Sequence, residues 1–218
     1  MFNNKYSKTL TVILIIVIIA IVGLLIFFGI DVYKKFYIEE AAGNAVEEFD
    51  NKVITQRPEE NNTILNDVVP DVDMNAIYTN TSSGDSSGSG VKYMGFDVIG
   101  TIEIPKTDVK YPIIPEYQNG PKALNVGIVV LYPSGSTLNQ VGNTVLAGHN
   151  YRNGTFFSNN KKLQNGDKIY IKDTSGNKVT YEVYKKYETS TSDSSYMNRD
   201  TKGKREISLT TCTDDTKG

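Results

Sequence analysis

The chain has 218 residues, a formal net charge of −2 at pH 7 and 39 % hydrophobic content. That length holds one folded domain with accessory segments, and the slight acidity argues against nucleic acid as a partner. A single cysteine excludes an internal disulfide framework, so bridges say nothing of the compartment.

The N-terminal region is dominated by one apolar run. Residues 10–30 are almost wholly apolar, and 12–30 contain no polar side chain. Roughly 20 such residues in a helix cross a bilayer. A cleaved signal peptide would have a shorter apolar region, about 7–15 residues, followed by a small-residue cleavage site. Here Asp31, Val32, Tyr33, Lys34 and Lys35 follow instead, so the run reads as a retained signal-anchor. Lys5 and Lys8 precede it without an acid, while Lys34 and Lys35 come after it, so the charge signal is mixed. The expectation is a cytoplasmic tail over 1–9, a single pass over 10–30 and the rest of the chain outside the cell.

Residues 31–90 read as a stalk and linker. Tyr33, Phe36, Tyr37, Ala41, Ala45 and Phe49 recur at loosely helical spacing over 31–50, as if the membrane helix continued. Over 44–90 acids outnumber Lys52 and Arg57, Pro58 and Pro70 interrupt, and 79–90 read TNTSSGDSSGSG. Such composition buries no core and is expected to be a flexible tether, dispensable for chemistry. Asn61, Asn80 and Asn153 match glycosylation acceptors, a signal of little weight by itself.

From residue 91 onward the pattern changes to short β runs with turn signals. Strands are expected over 96–104, 109–114, 126–131 and 143–147, with a helical turn within 156–163. Further strands are expected over 168–172 and 179–187, joined by the hairpin loop KDTSGNK, and a polar loop over 189–204 precedes a last strand at 205–213. The fold class is mainly β, a compact barrel with few helices.

The chemistry centres on two unique residues. His149 closes the run NTVLAGHN, and Cys212 closes REISLTTCT. One thiol and one imidazole, each at a strand mouth opening into a polar loop, fit a nucleophile and its base. The competing reading is bland: a lone cysteine is usually a small buried hydrophobe, and a lone histidine is often a satisfied structural residue. Acidic residues are scattered, so no metal and no cofactor are expected.

These residues resemble the sortase family, the membrane-anchored cysteine transpeptidases of Gram-positive bacteria. The family pattern T-L-x-T-C reads Ser208, Leu209, Thr210, Thr211, Cys212, with serine replacing the first threonine. The family's G-H dipeptide is matched by Gly148-His149, and its G-x-I-x-I-P opening by residues 100–105. The resemblance implies an eight-stranded barrel over 91–218, with His149 and Cys212 catalytic. It implies secreted substrates with an LPxTG-like C-terminal sorting signal, and an amine acceptor on peptidoglycan or a pilin. The short loop before Cys212 leans toward a class D-like or unassigned class. The family places an oxyanion-stabilising arginine on a strand after the nucleophile. Arg57, Arg152, Arg199 and Arg205 do not match that position. The resemblance therefore implies that the last strand and its arginine lie beyond Gly218, and that the 218 residues alone are nearly inactive. Two other classes stay open: a membrane-tethered binding or scaffold domain with structural Cys212 and His149, and a cysteine protease releasing product to water.

Overall fold

The computed structural model describes residues 4–56, 89–115, 120–133, 135 and 138–213. The expected stalk acceptors Asn61 and Asn80, with Arg57 and most of the linker, lie outside them.

The longest element is α1, Asn4–Gln56, a single uninterrupted helix. Its first part is exposed along its whole length, and one window of it is long and apolar enough to cross a membrane. Beyond it a stripe appears on one face: Ile38, Ala42, Ala45, Phe49 and Val53 turn inward at three- and four-residue spacing. Phe49 is fully buried. This differs from the expected tether: residues 44–56 are helical, and Ala45, Phe49 and Val53 belong to the same hydrophobic core as the sheet. The acids that gave the segment its tether-like composition sit on the outer face of the helix, where Glu47 and Glu48 are exposed. Asp50 pairs with Lys172 of the sheet at 2.6 Å, and Lys52 Nζ donates to the Gly90 carbonyl at 2.8 Å.

The domain that α1 docks on is mainly β, as expected. A two-stranded ribbon pairs β1, Lys92–Tyr93, with β2, Phe96–Asp97. The main sheet comprises β3 (Gly100–Ile104), β4 (Val109–Ile114), β5 (Ile128–Tyr132), β6 (Gly142–Ala147), β7 (Lys168–Asp173), β8 (Lys178–Glu182) and β9 (Arg205–Thr210). Their order across the sheet is β8-β7-β3-β4-β5-β6-β9. The expected strand 96–104 is thus two strands, separated at Val98 and Ile99, and the expected 179–187 strand stops at Glu182. A short helix α2, Gly120–Leu124, was not anticipated.

The two edges of the sheet approach one another, giving a barrel-like form. Tyr184, just past β8, donates its hydroxyl to Glu206 of β9 at 3.0 Å. Val141, residues 179–181 and residues 203–205 line a cavity between the edges. The interior is filled by Ile102, Ile104, Ile113, Ile114, Ile128, Leu146 and Ile171, all fully buried. One polar network is buried with them. Asn139 donates to the Asp173 carboxylate at 3.1 Å, and its amide oxygen accepts the Tyr181 hydroxyl at 3.1 Å. These bonds satisfy polar groups that would otherwise be costly in a dry interior.

Candidate active site

The sheet order decides where His149 and Cys212 meet. β6 and β9 are neighbours and run parallel, with Gly142 opposite Arg205 and Ala147 opposite Thr210. Continuing that register by two residues sets His149 beside Cys212, at the same end of adjacent strands. The bond from Gly148 N–H to the Thr210 carbonyl, 3.2 Å, extends the ladder past Ala147. The Nδ2 of Asn150 then donates to the Cys212 carbonyl at 3.1 Å. Parallel pairing matters here: two strand termini that leave one rim side by side carry their following residues to one mouth. Cys212 is a free, exposed thiol, and His149 is half-buried. Cys212 is thus not the small buried hydrophobe of the bland reading.

The histidine's backbone is fixed by its own loop. Its carbonyl accepts the Phe157 N–H at 3.2 Å, and its ring lies 5.0 Å from the Tyr151 ring. Tyr151 is held in turn: its N–H donates to the buried Ser158 hydroxyl at 3.1 Å, and its own hydroxyl reaches the Asn125 carbonyl at 3.3 Å. Partial burial pushes the Tyr151 phenol up. Gly148 is required for a steric reason: a β-carbon there would lie 2.9 Å from Cδ2 of the Phe157 ring. Phe157 is completely buried, so that ring cannot yield.

On the other side, β9 is braced by a loop residue. Arg199 donates through Nε to Glu206 Oε2 at 2.9 Å, and through one terminal nitrogen to the Tyr196 carbonyl and the Ser208 hydroxyl, both at 3.0 Å. Ser208 donates onward to Asn143 Oδ1 at 3.0 Å, which ties β9 to β6. The serine at the first motif position is thus part of a strand-to-strand network. Arg199, which does not match the family's arginine position, is half-buried and braces β9. Arg205 opens β9, at the rim opposite Cys212. Arg152 lies two residues past Asn150, and its N–H donates to Asn150 Oδ1 at 3.1 Å.

Sequence reasoning missed Asn150, Tyr151 and Phe157. The polar loop after His149 was legible, but its return onto the histidine depends on the buried Phe156 and Phe157, which only the folded chain shows. A cavity lined by residues 140–144, 197–199, Tyr132 and Pro133 lies around the start of β6, at the end away from His149.

Comparisons with known proteins agree with this architecture. The family model for the sortase domain matches residues 102–218, more than half of the chain. No curated protein sequence matches. Among solved structures, the Clostridium perfringens Sortase D5 transpeptidase aligns at 24 % identity and a TM-score of 0.54, over 80 % of this chain and 91 % of that one. At that identity the likeness is one of fold. Sortase A from Corynebacterium diphtheriae aligns at 29 % identity and a TM-score of 0.47, over 56 % of this chain and 55 % of that one. Sortase C-1 from Actinomyces oris aligns at 25 % identity and a TM-score of 0.46, over 56 % of this chain and 68 % of that one. The chain therefore spans about half the length of the Corynebacterium relative. With the domain match running from within β3 through β9 and both candidate residues inside it, the chain belongs to the sortase family.

Proposed function

We propose that Cys212 is the nucleophile and His149 the acid–base partner of a transpeptidase that acts on proteins bearing a sorting signal. The observation that carries this reading is the parallel β6–β9 register, which brings the chain's one histidine to its one cysteine at an open rim. The cysteine thiolate attacks the scissile peptide carbonyl, forming the C–S bond and a tetrahedral oxyanion. Collapse breaks the C–N bond, and the leaving amine takes its proton from the imidazolium of His149. The resulting thioester is attacked by an acceptor amine, which forms the new amide and returns the thiol. An acceptor on peptidoglycan or a pilin fits this step. The membrane anchor of residues 10–30 supports a site outside the cell that meets secreted proteins. A class D-like assignment is supported by the stretch between β8 and β9, which carries no helix among the described residues.

The experiment is mass spectrometry of the protein incubated with an LPxTG-type peptide, with and without an added amine. The expected result is an acyl adduct on Cys212 that an amine converts to a transpeptidation product. Cys212→Ala and His149→Ala are each expected to lose the adduct, with a rate loss of at least ~1,000-fold, while melting like the parent. An adduct at the parent's rate in either variant overturns that residue's role. A product hydrolysed equally fast with and without amine makes the enzyme a protease instead.

A further inference from the structure

We infer that α1 holds the mouth of the candidate site at the lipid headgroups, so that residues 150–154 form a membrane-facing surface. This rests on reading residues 10–30 as the membrane span. The barrel begins on α1 soon after that span ends. Lys35, five residues past Ile30, donates through Nζ to the Asn153 carbonyl at 2.8 Å. The same ammonium lies 3.6 Å from where a β-carbon on Gly154 would sit. The inward-facing stripe then follows without interruption from Ile38 to Val53.

The distances are short. Five helical residues rise about 7.5 Å. The headgroup zone on each side of a bilayer is about 5–8 Å thick. Asn153 therefore sits at the outer part of that zone when α1 stands upright, and deeper when it tilts. Asn153 is three residues from Asn150, at most about 11 Å of chain, and Asn150 holds the Cys212 carbonyl. Tyr33, Phe36 and Tyr37 are 68 %, 63 % and 53 % exposed on the helix at this level. Exposed aromatic rings just past an apolar span are the composition of a membrane–water interface. No glycine or proline falls between Ile30 and Ala42, so the helix has no built-in hinge there. Tyr151, 44 % exposed in the loop itself, adds an amphipathic ring to the same surface. The partner of this surface is the bilayer, and the peptides it favours are those emerging from the same leaflet.

The chain contains no tryptophan, so single reporters can be introduced one at a time. The full chain is placed in phosphatidylcholine–phosphatidylglycerol vesicles whose lipids carry a nitroxide either on the headgroup or deep in the acyl chain. Three variants are compared: Ile18→Trp in the span, Tyr151→Trp at the mouth and Val141→Trp at the far rim. Thr213→Trp reports the mouth from the β9 side and stands in if Tyr151→Trp melts below the parent. The expected result is loss of emission to the deep nitroxide at 18, loss to the headgroup nitroxide at the mouth, and unchanged emission at 141. Deep quenching at 18 with equal emission at the mouth and at 141 overturns the inference and leaves the span intact. Escape of position 18 from the deep nitroxide overturns the span itself, and the inference with it.

Discussion

Asn150 and Cys212 are joined across the rim of the barrel by a 3.1 Å hydrogen bond from the asparagine amide to the cysteine carbonyl. Asn150 also accepts the Arg152 N–H, so one side chain shapes the loop after β6 and pins the chain two residues past β9. Asn150→Ala is expected to leave the thiol present but less well aimed. A fall of about tenfold in kcat, near 1.4 kcal/mol of barrier, with KM little changed, is the expected outcome in steady-state kinetics. Asn150→Asp keeps the acceptor for Arg152 but loses the donor, and is expected to match the alanine variant.

Phe49 is fully buried between the helix and the sheet although it lies far outside the β domain in sequence. Phe49→Ala is expected to cost about 3–5 kcal/mol of stability. A protein beginning at Val91 loses Ala42, Ala45, Val46, Phe49 and Val53 together. It is expected to melt well below one beginning at Asp31, whichever way their activities compare. Thermal melts of the two soluble proteins measure this, and coincident melts refute it.

Arg199 and Glu206 form a half-buried pair that also engages Tyr184, Ser208 and the Tyr196 carbonyl. Arg199→Ala strands the Glu206 carboxylate and frees the loop before β9. The expected cost is about 1–3 kcal/mol, the scale of a stranded buried partner. Arg199→Lys keeps the charge but not the planar fork that serves three acceptors, so it is expected to recover only part of that loss. Denaturant unfolding of the three proteins gives the ranking.

Asp193 caps its own loop. Hydrogen bonds from Ser195 and Thr189 hold its carboxyl at about 2, well below the usual carboxylate range. Because the folded value is depressed, this contribution is present above about 3.9, the ordinary aspartate value, and is lost as pH falls toward 2. Limited proteolysis within 189–195 is expected to rise over that window in the parent. Asp193→Asn is expected to show the raised cleavage at neutral pH and little further change on acidification.

The alternation of Ile207 and Leu209 with polar residues made β9 legible, and the run 143–147 made β6 legible. Both strand mouths were therefore visible, with His149 and Cys212 on them. Their adjacency was not, because pairing between strands separated by a hairpin is a property of topology and leaves no local periodicity. The resemblance to sortases supplied that expectation, and the register bears on it directly. The helical stalk over 31–50 was legible, but the tether reading of residues 44–56 differs from the structure for another reason. Composition averages over all faces of a helix, so the acids of residues 47–50 hid a narrow apolar stripe. Helical spacing from Ala41 to Phe49 was in view, and extending it to Val53 would have separated the docked helix from the linker beyond.

Parallel neighbours cannot be joined by a tight turn, and between β6 and β9 the chain makes the β7–β8 hairpin on the opposite edge of the sheet before returning. A chain that crosses the membrane N-terminus-inward therefore delivers His149 before β7, β8 and β9, and Cys212 only after them. Until β9 slides in beside β6, thiol and imidazole belong to separate parts of an unfinished polypeptide. Under the proposed roles, the order of synthesis works as a safety catch, because nucleophile and base meet only when β9 docks.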